Sequence, residues 1–142
     1  MQLSTKTTYS IRALADIAKH QEPAKCSIQT KNKKTPVLIK DIAGRQGIDI
    51  PYLEQLLNRL KKKGFLKAKR GPKGGYVLAK KPEEISLLDI VRAQGDKIAP
   101  VSCVEGSPCP MAKKCLSRET WQKMYQDIKK DLVTTKISDL IK

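Results

Sequence analysis

Apolar positions recur at helical spacing along most of this chain and switch to strand-like spacing in one short region. Between Thr7 and Lys19, Tyr9, Ala13 and Ile17 repeat every four residues with Leu14 and Ala18 on their flanks. That pattern predicts a helix with one buried face, started by Ser4 or Thr5 as its cap. Tyr9 lies on the buried face and is expected to pack. Val37, Leu38 and Ile39 form a short apolar run that suits a strand or the start of a helix. Lys40 to Gln46 then predicts a short helix stopped by Gly47. Ile50, Leu53, Leu56, Leu57 and Leu60 predict the next helix, capped by Asp49, with Pro51 in its first turn and Gly64 at its end. Tyr52, Glu54, Gln55, Asn58, Arg59 and Lys62 fall on the opposite face. Short helices joined by a glycine-containing turn have the layout of a helix-turn-helix.

The period then changes. Phe65–Lys69 and Tyr76–Ala79 predict a pair of strands, and Arg70-Gly71-Pro72-Lys73-Gly74-Gly75 between them predicts the turn of a hairpin. Ile85 to Ala93 returns to helical spacing after Pro82. A long helix is predicted from Ser117 to Val133, with Trp121, Met124, Tyr125, Ile128 and Leu132 on one stripe, and Ile137, Leu140 and Ile141 follow as a packed tail. Gln21 to Pro36 is a polar loop rich in lysine. The expected fold is mainly α with a small β-hairpin wing: a winged helix-turn-helix at residues 1–94, a cysteine loop at 95–117, and a dimerisation helix and tail at 118–142. The long amphipathic helix needs a partner for its stripe, and a second copy of the chain is the expected one, by the two-fold symmetry of DNA readers of this type.

Charge decides the class of partner. The 142 residues hold 29 Lys and Arg against 14 Asp and Glu, a net charge of +15. A polyanion is implied, with nucleic acid the first expectation and an anionic membrane the second. From Lys61 to Lys81 there is no acidic residue, whereas Lys61, Lys62, Lys63, Lys67, Lys69, Arg70, Lys73, Lys80 and Lys81 all fall there. A basic hairpin directly after a helix-turn-helix is a wing. Its glycines, Gly71 among them, let backbone approach phosphate closely, and Arg70 at its tip suits a narrow minor groove. On the second helix, Gln55 and Asn58 suit adenine, Arg59 guanine and Glu54 cytosine. The glycine-rich turn lacks the spacing of a nucleotide-binding phosphate loop, and His20 is the single histidine, so no histidine–nucleophile pair can form beyond it. An enzyme is not expected. No apolar run is long enough to span a bilayer, and the first residues lack the apolar region of a secretory signal, so the cytoplasm is the expected location.

The remaining chemistry lies in Cys103-Val104-Glu105-Gly106-Ser107-Pro108-Cys109-Pro110-Met111-Ala112-Lys113-Lys114-Cys115. Gly106, Pro108 and Pro110 break regular structure, so the three thiols lie on a loop that can close round one centre. Thiolates favour zinc, copper(I) and iron–sulfur clusters, and three are one short of the usual four ligands. Cys26 is either a fourth donor or a free thiol. A disulfide with a spare thiol, inert cysteines, a metal-free thiol switch, and a zinc-containing basic nucleic-acid-binding protein are the alternative readings.

With these residues taken together, the chain resembles the IscR/NsrR family of winged helix-turn-helix transcription regulators. The likeness covers nearly the whole length and is carried by Met1-x-Leu3-Ser4 followed by Tyr9, by Tyr52-Leu53-Glu54-Gln55-Leu56, by Arg70-Gly71-Pro72-x-Gly74-Gly75-Tyr76, by the spaced cysteines, and by Cys115-Leu116-Ser117-x-x-x-Trp121. The resemblance implies a cytoplasmic homodimer that binds a double-stranded DNA operator under the control of an iron–sulfur cluster, 2Fe-2S in preference to 4Fe-4S. It implies Cys103, Cys109 and Cys115 as cluster ligands, Tyr52, Glu54 and Gln55 at the major groove, and Arg70 in the minor groove. Cluster-assembly regulators of the family have a histidine where this chain has Arg118, and nitric-oxide sensors an aspartate where it has Thr8; Arg12 fits the latter type. The fourth ligand is therefore open among Thr8, Glu105, Ser117, Glu119, Cys26 and an external group. The Gln21–Pro36 loop is longer than in such regulators.

Overall fold

The computed structural model describes residues 2–21, 34–71 and 74–142. Most of the polar loop, including Cys26, lies outside the described residues, as do Pro72 and Lys73 of the wing turn. The elements follow the predicted order. Helix α1 runs Thr5–His20, and Ser4 caps it by accepting a 3.3 Å hydrogen bond from the Thr7 amide. Helix α2 spans Ile39–Gln46 and ends at Gly47, whose φ of 65° is the left-handed conformation that closes a helix without a Cβ clash. Helix α3 spans Ile50–Lys62. The wing is an antiparallel pair, β1 at Leu66–Lys69 and β2 at Gly75–Leu78, in register from Leu66 opposite Leu78 to Lys69 opposite Gly75. Helix α4 spans Leu87–Ala93 behind a reciprocal cap between Ser86 and Asp89. The long helix α5 covers Arg118–Thr134, and a single turn, α6, covers Ile137–Leu140.

One core holds the helix-turn-helix, the wing and the last turn together. Ala13, Leu14 and Ile17 of α1 pack with Ile42 of α2, with Leu53, Leu57 and Leu60 of α3, and with Leu66 and Leu78 of the wing. Ile137 of α6 enters the same core fully buried, and Lys136 bridges Ser86 just before it. A smaller apolar cluster joins Leu88, Val91 and Ile98 to Leu3 and to Tyr125, Ile128 and Leu132 of α5.

Several expectations need correction. Asp49 stands at the start of α3, but its side chain makes no capping hydrogen bond. Ile50 is 42% exposed and does not belong to the buried stripe, because it is the first residue of the helix and its side chain lies beyond the core. Of the apolar run at 37–39, Ile39 opens α2 as a helix entry, while Val37 only bridges Tyr76 beside β2 through two backbone hydrogen bonds of 2.9 Å. The stripe of α5 is only partly covered: no residue of that helix is buried, and Met124 is exposed. Leu140 is likewise exposed, so the tail packs through Ile137 and the partly buried Ile141.

Candidate nucleic-acid interface and cysteine loop

The face of α3 opposite its leucines carries the residues that sequence singled out. Leu53, Leu56, Leu57 and Leu60 are buried, which turns Glu54, Gln55, Asn58 and Arg59 to solvent. Lys61, Lys62 and Lys63 continue the exposed surface into the wing. Tyr52 differs from these. It is half-buried, with its ring edge-on to Tyr9 at 6.0 Å, so it joins α3 to α1 rather than standing free. The wing follows without interruption: Lys67, Lys69, Arg70 and Gly71 are exposed, and Lys73 lies outside the described residues. This arrangement brings exposed hydrogen-bonding side chains and a run of cations onto adjoining elements, as base reading and phosphate contact require.

Two glycines let backbone approach backbone closely, Gly74 within the wing turn and Gly75 against the Val37 segment. A Cβ on Gly74 would stand 2.3 Å from the Lys69 carbonyl, and one on Gly75 2.3 Å from the Val37 carbonyl. Only glycine permits this approach. Gln21 supports the other side of the wing. Although its neighbours predict the start of a polar loop, it is 2% exposed, and its side-chain carbonyl accepts a 2.9 Å bond from the Leu78 amide. Tyr76 beside the bridge has its phenol pKa pushed up by burial and by the negative charge of Glu54.

The turn of the helix-turn-helix is fastened to α1 by polar contacts that no local pattern announces. Asp16 is buried, and its carboxylate accepts from Arg45 at 2.9 and 2.7 Å and from Gln46 at 2.8 Å. Burial alone would raise the Asp16 pKa, but hydrogen bonds from Arg45 and Gln46 and the charges of Arg45 and His20 outweigh it, and the carboxyl is held below its usual range. Arg12, one turn back, donates to the side chain of Gln46 at 3.2 Å and to its backbone carbonyl, while lying over the Tyr9 ring. The only hint of this network in the sequence is an acid at position 16, directly beside the apolar Ile17.

The cysteine loop begins after α4. Cys103 lies in a short 3-10 turn at Ser102–Glu105, and Cys103, Cys109 and Cys115 are free and half-exposed. In kind, three thiols on one loop suit a thiophilic metal or cluster. Among the described residues, no group of three or more His, Cys, Asp or Glu side chains is already gathered as a metal site. Of the proposed fourth donors, Thr8 is exposed and donates to the carbonyls of Ser4 and Thr5 in its own helix. Glu105 and Glu119 are exposed. Among the candidates within the described residues, Ser117 alone touches a cysteine, with its hydroxyl 3.4 Å from the Cys115 sulfur and 3.1 Å from the Trp121 indole nitrogen. The Ser117 hydroxyl and the backbone amides of Ser117 and Arg118 lower the Cys115 thiol pKa.

The family described as "Rrf2: Iron-dependent Transcriptional regulator" matches residues 3–142. Protein rrf2 of Nitratidesulfovibrio vulgaris is 39% identical over 143 residues, covering 100% of this chain and 88% of that protein. The HTH-type transcriptional regulator IscR of Photorhabdus laumondii is 31% identical over 141 residues, covering 99% of this chain and 79% of its own length. Among solved structures, CymR, described as the global cysteine regulator of B. subtilis, superposes with a TM-score of 0.77 at 31% identity, covering 99% of this chain and 96% of that one. Such proteins are transcriptional regulators and not enzymes. With a winged helix-turn-helix, a cationic wing and a whole-length family match, the chain belongs to the Rrf2 family of DNA-binding transcriptional regulators.

Proposed function

We propose that the chain acts in the cytoplasm as a homodimer that grips a pseudo-palindromic operator, with the cysteine loop setting its affinity. The observation that carries the DNA part is the continuous exposed surface from Glu54 to Gly71, which contains a single acid among its cations. Gln55, Asn58 and Arg59 offer hydrogen bonds to base edges, with Tyr52 at the margin of that face. Arg70, Gly71 and Lys73 at the wing tip supply phosphate and minor-groove contacts. The partly covered stripe of α5 supplies the surface for a second copy, which doubles the contact and fixes the spacing of half-sites.

Within that reading, residues 1–94 bind DNA, 95–117 sense, and 118–142 dimerise. Cys103, Cys109 and Cys115 would hold an iron–sulfur cluster, 2Fe-2S in preference to 4Fe-4S, which when bound supplies reversible redox and ligand-loss chemistry. The chain's own contribution is a loop whose three thiols are free and whose last one is backed by Ser117. A metal-free thiol regulator is the second reading, favoured by the separate placement of the three cysteines. Protein purified without oxygen separates the two: iron and acid-labile sulfide in near-equal amounts are expected, falling to background in Cys103→Ser. A colourless, iron-free protein whose operator affinity still answers to thiol oxidation would replace the cluster by the thiol switch.

Glu54→Ala tests base reading separately. It is expected to relax preference at one operator position by about tenfold, while binding to random duplex changes less than about twofold. Competition binding against a library of operator variants reads both numbers at once.

A further inference from the structure

The Asp96 carboxylate is the first acid of the segment that leads to the cysteines. It follows Gly95, which ends α4 with φ of 80°. One of its oxygens accepts three hydrogen bonds from the start of α1: the Ser4 amide at 2.7 Å, the Ser4 hydroxyl at 2.8 Å and the Thr7 hydroxyl at 2.6 Å. The cysteine segment is thus fastened, at its first residues, to the N-terminal end of α1. A carboxylate there is also favoured by the helix dipole.

From that end, α1 reaches the DNA-reading surface within three turns. Tyr9 meets Tyr52 of α3, Arg12 holds Gln46 in the α2–α3 turn, and Asp16 holds Arg45 and Gln46. The helix is 16 residues long, about 24 Å at the usual rise, and its buried face is close-packed against α2, α3 and the wing. A packed helix moves as a unit rather than bending continuously. The route lies within one chain and needs nothing from a partner.

We propose that α1 is the rod that carries a change in the cysteine segment to the recognition helix, and that Asp96 is the positioning residue that fastens the rod to that segment. Asp96 touches no DNA in this scheme and acts only through Ser4 and Thr7. The inference rests on the proposed sensing role of the cysteines and adds the route by which that role reaches DNA.

The test is made on full-length protein in a Cys26→Ser background, with operator affinity measured at fixed salt before and after alkylation by N-ethylmaleimide. The unsubstituted background is expected to change affinity by about tenfold on alkylation, the size of an ordinary coupling between sites. Asp96→Ala is expected to reduce that response to less than about twofold, with random-duplex binding and the circular dichroism spectrum unchanged. Asp96→Asn keeps an acceptor for Ser4 and Thr7 and is expected to restore most of the response. Ser4→Ala with Thr7→Val removes the two hydroxyl donors from the other side, leaves the Ser4 amide, and should reproduce most of the loss seen in Asp96→Ala, which guards against a folding defect peculiar to one variant. A full alkylation response in both folded variants would overturn the rod. No response in the unsubstituted background would overturn the sensing role itself, and the rod with it.

Discussion

Arg70→Glu is expected to weaken operator binding by about a hundredfold, close to 3 kcal/mol for the two wings of a dimer. The charge lies at an exposed hairpin tip, between Lys69 and Gly71, in a stretch from Lys61 to Lys81 whose sequence holds no acid. Reversal both removes a cation and places an anion against phosphate. The loss should extend to random duplex, because a phosphate contact carries no sequence information, and the slope of log affinity against log salt should fall by about one per wing. Fluorescence anisotropy across a salt series checks both. Affinity within about twofold of the native protein at every salt concentration would remove the wing from the interface.

Asp16→Ala is expected to destabilise the fold by about 3 kcal/mol, at the low end for a broken buried ion pair because Arg45 keeps 37% of its side-chain surface in water. The alanine leaves Gln46 and Arg45 without their acceptor, and the turn between α2 and α3 loses its tie to α1. The sign with pH follows from the lowered Asp16 pKa. A carboxyl with a folded value below its ordinary 3.8 contributes its full stability above that ordinary value and loses it as pH falls through the folded one. The gap between native and Asp16→Ala midpoints in urea should therefore be constant from pH 7 down to about 5 and close towards pH 2. A gap independent of pH over that whole range would mean that ionisation of Asp16 does not contribute.

The two predictions differ in how visible they were from the sequence. Arg70 lies in a local pattern of glycine, proline and cations between alternating strands, and local patterns carry their own signal. The same holds for α1, α2, α3 and α5, whose helical periods survive in the structure with ends moved by a residue or two. Asp16, Gln21 and Asp96 act across 29, 57 and up to 92 positions of sequence. A polar pair that distant leaves no period and no spacing, only a polar residue at a place where the fold happens to bury it. Ile50 shows the converse: its apolar character continued the stripe, but being apolar does not say whether a residue at a helix end will be covered. The cysteine loop was legible as a group of thiols, and its spacing could not say how the sulfurs sit relative to one another.

Ile137 has a consequence for the order in which the chain assembles. It is fully buried among residues of α1, so the core of the DNA-binding half is complete only after the ribosome has passed the cysteine loop and the long helix. At roughly 5–20 residues per second, the stretch from Gly75 in the wing to Ile137 takes several seconds to appear. During that interval the helix-turn-helix and wing already exist as chain but lack one of their packing residues. Cys103, Cys109 and Cys115 therefore emerge before the core of the DNA-binding half is complete.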